Sequence, residues 1–234
     1  MSGFETDIQI RSFQVDINQN LTIPSLLSIN QERAIHHTER LGYGKDKTLD
    51  KGYLWVIAAQ HFEIDTLPVY GQDVTLITYP GKQRNYFLPR YLEIKDRKGN
   101  TLVRGSTIWT RINKRSRKIL NPEKIGILIE GEEVKNRPSP FGRHSFHLTL
   151  PDRKFIRKAD YRNCDLNGHI NNTKYVEECR KRIPKEYLKK HPVKVIEAKY
   201  NQEVRYGFGF IVHHAKEKSG YLFSSVPFTL FFGF

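Results

Sequence analysis

Cysteine, methionine and tryptophan are scarce in this chain of 234 residues, which contains two, one and two of them. Two cysteines are too few for a disulfide framework, which argues against a small secreted domain held by disulfide bonds and favours a reducing compartment. Uninterrupted apolar segments are well below the ~18–20 residues that a membrane-spanning helix needs. The first residues lack the basic and apolar regions of a secretion signal. These absences predict a soluble, cytoplasmic protein without a membrane span.

Acidic residues are outnumbered, because 39 Lys and Arg stand against 25 Asp and Glu, for a formal net charge of +14. Such a charge favours an acidic partner, which can be nucleic acid, an anionic membrane surface or an acidic protein. Basic residues cluster in segments 114–118 and 180–182. A solvated surface gives the same pattern, so the charge alone does not select the partner.

The first half of the chain predicts one long helix followed by several strands. The helix is expected over residues 22–41, with Pro24 in its first turn and Gly42 just past its end. Extended segments separated by turn residues follow at 55–65, 73–79, 86–95 and 101–113. This succession of elements indicates an α+β fold. Hydrophobic residues make up 38% of the chain, which is enough for a sizeable core.

The second half repeats this order of elements. Residues 130–140 are charged and carry two prolines, which is typical of a linker. The elements expected after it are a short extended segment at 155–161, a helix over 173–183 and a strand over 193–204. Identity between the halves is slight, so the repeat is one of element order and not of a fixed short period.

The end of the chain leaves little room for the second sheet. After its matching strand the first half uses residues 55–113, whereas the second half has only 194–234. The shortfall is about one strand of ~5–6 residues with its turns. The sequence therefore predicts one strand fewer in the second half, and with it an unpaired sheet edge.

Short polar side chains are concentrated at Asp165, Asn167 and His169, and two asparagines, Asn171 and Asn172, follow them. Side chains at alternate positions point the same way if the backbone is extended. A pair of asparagines suits a turn and the N-cap of the helix that follows. The segment predicts a convergent polar site at the start of a helix, although each residue by itself could simply form a turn or a cap.

No cofactor or metal is expected for this site. The histidine pairs of the chain lack accompanying cysteine or acidic ligands at metal spacing. No phosphate-binding or dinucleotide-binding glycine pattern occurs. Any chemistry is then left to protein side chains.

The whole chain resembles the acyl-acyl carrier protein (acyl-ACP) thioesterase family. The segments that carry the resemblance follow the family's order at residues 11–13, 31–34, 55–57, 70–74, 106–109, 165–175 and 200–204. The strongest is the pattern Asp165-x-Asn167-x-His169, which is similar to the family's active-site signature. One such pattern can arise by chance, but the ordered set extends over most of the chain.

The resemblance implies an α+β fold of two tandem hotdog domains, each a central helix wrapped by a curved antiparallel sheet. It implies an N-terminal domain at residues 1–129 with the acyl-chain pocket, a linker at 130–140 and a C-terminal domain at 141–234 with the catalytic residues. The implied reaction is hydrolysis of a fatty acyl thioester on acyl carrier protein, which releases free fatty acid. Acyl carrier proteins are strongly acidic, in keeping with the basic charge. The protein is expected to be a monomer of paired hotdogs or a homodimer.

The implied catalytic residues are Asp165, Asn167, His169 and Glu203, and thioester hydrolysis suits their chemistry. Glu203 or His169 can act as general base toward water. Asn167 and backbone N–H groups near Gly168 can stabilise the developing oxyanion. Asp165 can orient the imidazole or stabilise its charge. Which residue takes the proton stays open.

Val204 follows Glu203 at the position where an older view of the family places a nucleophilic cysteine. Valine cannot attack a thioester, so a covalent route through this position is excluded and attack by water is expected. Cys164 and Cys179 are expected to be ordinary thiols, the first because the carboxylate next to it disfavours a thiolate.

Three other interpretations stay open. A hotdog acyl-CoA thioesterase or dehydratase would share the fold. A non-catalytic protein that binds acyl carrier protein would be consistent with a shortened second half. A basic nucleic-acid-binding protein would fit the charge, but the chain lacks an aromatic-basic, zinc or helix-turn-helix motif.

Overall fold

The computed structural model describes residues 3–134, 138–139, 153–165 and 167–234. The first half contains helix α1 (Ile23–Arg40) and strands β1 (Phe4–Gln9), β2 (Tyr53–Ile64), β3 (Asp73–Pro80), β4 (Leu88–Asp96) and β5 (Thr101–Asn113). The second half contains helices α2 (Asn172–Arg180) and α3 (Lys185–Lys190) and strands β6 (Arg153–Lys158), β7 (Val195–Tyr200), β8 (Gly209–Glu217), β9 (Gly220–Ser224) and β10 (Phe228–Gly233). None of the described helices is long and apolar enough to cross a lipid bilayer.

The described strands form one antiparallel sheet of ten strands in the order β1-β3-β4-β5-β2-β7-β10-β9-β8-β6. Strands β2 and β7 pair at its centre, from Ala59 opposite Lys199 to Glu63 opposite Val195. Read outward from this pair, the two halves follow the same strand order. Helices α1 and α2 contact each other, and their buried residues join those of both halves in one core. The predicted α+β fold of two tandem hotdog units is confirmed.

The prediction of a missing strand in the second half is wrong. Each half contributes five strands when β2 and β7 of the central pair are counted, and β10 lies between β7 and β9. The aromatic side chains of β10 are buried, with Phe228, Phe231 and Phe232 at most 3% exposed. The second half is compressed instead, because β9 and β10 have 5 and 6 residues where β4 and β5 have 9 and 13. The predicted unpaired edge at the aromatic end is therefore also wrong.

Helix α1 begins and ends where its capping residues predict. The Thr22 hydroxyl accepts from the Ser25 N–H at 3.3 Å, and Pro24 occupies the first turn, where a missing N–H costs nothing. Gly42 adopts φ +85° just beyond the helix, a conformation that favours glycine. The buried side chains of the helix include Leu26 and Ala34. The capping residues thus fix the span of the helix that lies under the first half of the sheet.

A buried polar pair lies where the two halves join. His61 of β2 and Glu197 of β7 lie 3.7 Å apart, Nδ1 to Oε1, with side chains 3% and 2% exposed. The same His61 nitrogen is 2.9 Å from the carbonyl oxygen of Ser139, so this part of the predicted linker packs on the sheet. Neighbouring linker residues lie outside the described part of the chain, and the domain boundaries at residues 129 and 141 stay predictions.

Gly105→Ala tests the close packing of the first half. Gly105 lies opposite Phe62, and an added Cβ would stand 2.3 Å from the Cε1 of this fully buried ring. We expect a loss of about 1–3 kcal/mol in the free energy of unfolding, measured with urea. Gly44→Ala is the control, since its Cβ would meet nothing closer than 3.5 Å. Equal stability of both variants would contradict this packing.

Candidate active site

The polar segment around Asn167 is a tight turn and not the extended backbone in which alternate side chains would point the same way. The Gly168 N–H donates to the Asp165 carbonyl at 3.0 Å, and Gly168 has φ +75°. The Asp165 carboxylate accepts from the Asn167 N–H at 2.8 Å. An aspartate that accepts a backbone N–H two residues on competes with extended structure. The reasoning from alternate side chains is therefore wrong for these residues.

Backbone hydrogen bonds bring this turn beside the segment that follows β7. The Ile170 N–H donates to the Val204 carbonyl at 3.0 Å, and the Tyr206 N–H donates to the Gly168 carbonyl at 3.1 Å. His169 and Glu203 consequently meet, with His169 Nε2 3.5 Å from Glu203 Oε2. Residues distant in sequence thus form one site.

Glu203 lies beyond the end of its strand. The prediction of a strand over 193–204 is too long, because β7 ends at Tyr200. The N–H groups of Asn201 and Gln202 both donate to the Pro227 carbonyl, at 2.8 and 3.2 Å, which diverts the chain from the sheet. The carboxylate is thereby free to turn toward His169 and the cavity.

Arg117 is the site residue that the sequence analysis counted only as part of a basic cluster. Its Nε donates to Glu203 Oε2 at 2.8 Å, and its Nη2 contacts the same oxygen. Nη2 is also 3.1 Å from each ring nitrogen of His169. With side chains 18% and 34% exposed, the Arg117–Glu203 pair contributes only about 0–1 kcal/mol to stability. No local pattern distinguishes Arg117 from the other basic residues around it.

A structured turn holds Arg117 in place. The Asn113 side chain accepts from the N–H groups of Arg115 and Ser116, at 2.9 and 2.8 Å. Arg117 itself adopts φ +58°, which costs a non-glycine residue on the order of 1 kcal/mol. Its N–H donates to the Asn113 carbonyl at 2.9 Å. This turn belongs to the first half, so both halves contribute to the site.

Burial lowers the pKa of His169 below its usual value. The positive charges of Arg117 and Arg205 lower it further, whereas the carboxylates of Glu203 and Asp165 raise it. The His169 side chain is only 10% exposed. At neutral pH the imidazole is therefore neutral, which leaves a ring nitrogen able to accept a proton.

Asp165 and Asn167 line the same cavity as His169 and Glu203. Among the described residues, the hydrogen bond of the Asp165 carboxylate goes to the Asn167 N–H and not to the imidazole. Its effect on His169 is electrostatic, through the pKa. The Asn167 Oδ1 is buried without a partner in the described part of the chain. The Gly168 N–H, a predicted oxyanion donor, is occupied by the Asp165 carbonyl.

The predicted N-cap of the second helix is confirmed. The Asn171 side chain accepts from the N–H and the hydroxyl of Thr173, both at 2.9 Å. Helix α2 then begins at Asn172, which lines the cavity beside the four predicted residues. The turn therefore leads directly into the helix, as the paired asparagines indicate.

The site opens onto two adjoining cavities. The first has a volume of about 510 Å³ and is lined by the four predicted residues, Arg117 and a set of apolar and aromatic side chains that includes Trp55, Ile57, Trp109 and Tyr175. A second cavity of about 420 Å³ shares Trp55, Trp109, Asp165 and Asn167 with it and continues along α1. On the outer side, Arg117 and Glu203 also border an open groove of about 1070 Å³. The Arg117–Glu203 pair therefore borders both the inner cavity and the groove.

Neither cysteine offers a reactive thiolate. Burial, then the carboxylates of Asp165 and Asp160, raise the pKa of Cys164. Cys179 is fully buried on α2, and burial raises its pKa as well. The described residues contain no group of three or more His, Cys, Asp or Glu side chains that could hold a metal ion.

The first half contains a copy of the site's backbone, here called the first-half copy and formed by residues 10–22 with 67–72. Its Asp16 carboxylate accepts from the Asn18 N–H at 2.9 Å, as Asp165 does from Asn167. The Gln19 N–H donates to the Asp16 carbonyl at 2.9 Å, and Gln19 has φ +65° where Gly168 has +75°. This repeat was not predicted from the sequence.

The hydrogen bonds to the second segment are also repeated. The equivalent bonds of the first-half copy run from the Leu21 N–H to Pro68, from the Tyr70 N–H to Gln19 and from the Gly71 N–H to Ile10. Those of the site run from Ile170 to Val204, from Tyr206 to Gly168 and from Gly207 to Ala159. In this correspondence Asn20 stands where the site has His169, and Leu67 stands where it has Glu203. The copy keeps the frame and lacks both candidate bases.

Solved structures with the same fold are acyl-ACP thioesterases. An acyl-ACP thioesterase from Bacteroides thetaiotaomicron is 22% identical, with 99% of this chain and 97% of that chain covered and a TM-score of 0.81. The 12:0-ACP thioesterase from Umbellularia californica is 18% identical, with 99% and 96% covered and a TM-score of 0.82. At these identities the likeness concerns the fold, which is that of a tandem hotdog protein.

Two family models match the sequence, Acyl-ACP thioesterase N-terminal domain over residues 2–124 and Acyl-ACP thioesterase C-terminal domain over residues 154–224. The chain belongs to the acyl-ACP thioesterase family. The chloroplastic palmitoyl-acyl carrier protein thioesterase of Arabidopsis thaliana is 25% identical over 214 residues, which cover 86% of this chain. This chain spans about half the length of the curated relatives it matches, 52% in that case.

Glu203→Gln tests the electrostatic contact with His169. Because the Glu203 carboxylate raises the pKa of His169, its removal should lower that pKa further, as followed by a titration of the imidazole NMR signals. Glu217→Gln, at an exposed position of β8, is the matched control and should leave the titration unchanged. An unaltered His169 titration in Glu203→Gln would rule out the contact.

Proposed function

We propose that this protein hydrolyses the thioester of a fatty acyl group carried by acyl carrier protein, releasing free fatty acid and the carrier. The observation that supports it best is the His169–Glu203 pair at the mouth of an apolar cavity. Family membership supports the same reaction. The four predicted residues Asp165, Asn167, His169 and Glu203 are proposed to carry it out.

The reaction requires a water molecule with a base beside it. The water oxygen forms a bond to the acyl carbon, the carbon–sulfur bond breaks, and the proton taken by the base passes to the leaving thiolate. His169 is neutral because burial lowers its pKa, so a ring nitrogen can take the proton. Glu203 is the other candidate, and the 3.5 Å between Nε2 and Oε2 allows either residue to assist the other.

Asn167 and Asp165 are proposed to act on charge and position. The buried Oδ1 of Asn167, without a partner among the described residues, is suited to accept a hydrogen bond from the water, and the NH2 of the same amide can donate to the thioester oxygen. The Asp165 carboxylate stabilises positive charge on His169 at a distance, in agreement with its effect on the pKa of that residue. A nucleophilic cysteine has no place in this scheme, since Val204 is buried and the thiols of Cys164 and Cys179 have raised pKa values.

The acyl chain is proposed to occupy the two adjoining cavities. Their shared wall contains Trp55 and Trp109, and the second cavity is lined by Ile35, Leu88 and other residues of the first half. Each methylene group removed from water contributes about 0.8 kcal/mol. The binding energy of the chain would therefore hold the thioester at the site.

An acidic carrier suits the charge of this protein. The formal net charge is +14, and the basic turn at residues 114–118 lies at the mouth of the site through Arg117. Acyl-CoA stays the nearest alternative substrate. The non-catalytic interpretation loses its main support, because the second half has its full set of strands.

Single-turnover release of free fatty acid from acyl-ACP tests the proposal. We expect Glu203→Gln and His169→Asn each to lower the rate by about 10²–10⁴, the usual contribution of a general base. Glu217→Gln is the matched carboxylate control and should react at the rate of the unmodified protein. Acyl-CoA with the same acyl group serves as the comparison substrate.

Full activity of the well-folded Glu203→Gln and His169→Asn variants would contradict the proposed assignment of the site. Faster release from acyl-CoA than from acyl-ACP would reassign the substrate. Binding of acyl-ACP without release of fatty acid would favour the non-catalytic interpretation.

A further inference from the structure

Arg117 contacts both candidate bases, His169 and Glu203, at once. Its Nε and Nη2 bind Glu203 Oε2, and Nη2 lies 3.1 Å from both ring nitrogens of His169. A guanidinium group only donates hydrogen bonds. The guanidinium therefore stands beside both ring nitrogens of His169 and beside Oε2 of Glu203, which are atoms that could take the proton of the water.

Arg117 lies where the outer groove meets the inner cavity. Arg117, Gln202 and Glu203 border both the outer groove of about 1070 Å³ and the inner cavity of about 510 Å³. A thioester that enters from this groove passes these side chains. The Arg117 guanidinium has to move before a water and a thioester carbonyl can share the space beside His169.

The same arginine belongs to an exposed basic turn. Lys114, Arg115 and Lys118 are exposed, whereas Arg117 points back toward the site. Its Nη1 donates to the Lys114 carbonyl at 3.2 Å, so the guanidinium and the turn are linked. The pair with Glu203 is partly exposed and hence weak. Carboxylates of an acidic surface that docks on the turn can compete for this guanidinium.

We propose that Arg117 couples docking of an acidic acyl carrier on the basic turn, residues 114–118, to the release of His169 and Glu203. Thioesters without an acidic carrier then react slowly, because nothing draws Arg117 away from the two bases. This inference rests on the proposed hydrolysis at His169 and Glu203. It assigns to Arg117 the selectivity for carrier-borne over free thioesters.

The test compares one acyl group on acyl carrier protein and on pantetheine, with kcat and KM measured separately. Arg117→Gln should raise kcat for acyl-pantetheine about tenfold, since the bases are no longer covered. For acyl-ACP the same variant should raise KM and leave kcat nearly unchanged. Arg117→Lys keeps the charge but loses the planar fork, so it should restore KM for acyl-ACP while kcat for acyl-pantetheine stays elevated.

Arg97→Gln is the matched control, since Arg97 also pairs with a carboxylate, Asp73, at 2.6 Å but lies away from the site. It should leave both substrates unaffected. A fall of kcat on both substrates in a folded Arg117→Gln protein would overturn the coupling and make Arg117 an activating residue. An unmodified protein that releases no fatty acid from acyl-ACP would overturn the proposed function itself, and the coupling with it.

A readout independent of turnover uses the carrier without an acyl group. Because the charge of Arg117 lowers the pKa of His169, both Arg117→Gln and docking of this carrier on unmodified protein should raise that pKa. Imidazole NMR signals report it. In Arg117→Gln the carrier should cause no additional rise. A bound carrier that leaves the His169 titration of the unmodified protein unchanged would refute the coupling.

Discussion

The pairing of β2 with β7 is the constraint on which the rest of this molecule depends. Five residues of each strand face one another there, and the pairing joins two five-stranded sheets into one. Strands β5 and β7 both run antiparallel to β2. Their C-terminal ends therefore both lie toward the N-terminal end of β2. The turn after β5 and the segment after β7 are therefore neighbours, and Arg117 can meet Glu203. A shift in this register would separate the two sides of the site.

Much of the fold could be predicted from local sequence. The caps of α1 and the turn residues between the first strands are strong signals, and β5 covers the predicted residues 101–113. The second half was harder, because aromatic residues in β10 face both sides of a covered sheet and do not alternate with polar ones. Its strands are also shorter than those of the first half, and an estimate by length consequently lost one of them.

The site was predictable in composition but not in geometry. The motif around His169 was visible as a density of short polar side chains, yet its turn depends on the competition of Asp165 for a backbone N–H. Arg117 reaches the site through a contact between the two halves, which no local pattern reveals. One signal was available and missed: Asp16 and Asn18 repeat the spacing of Asp165 and Asn167. Compared directly, the halves would have shown the repeated frame.

The first-half copy shows that the frame and the chemistry of this site are separable. With Asn20 and Leu67 in place of His169 and Glu203, the backbone still forms the same turn and the same bonds to its neighbouring segment. This backbone frame therefore forms without the imidazole or the carboxylate. If His169 and Glu203 carry the reaction, as proposed, two substitutions remove it and leave the backbone frame in place. The first-half copy is a second backbone frame of the same shape, and other side chains can be introduced there by substitution.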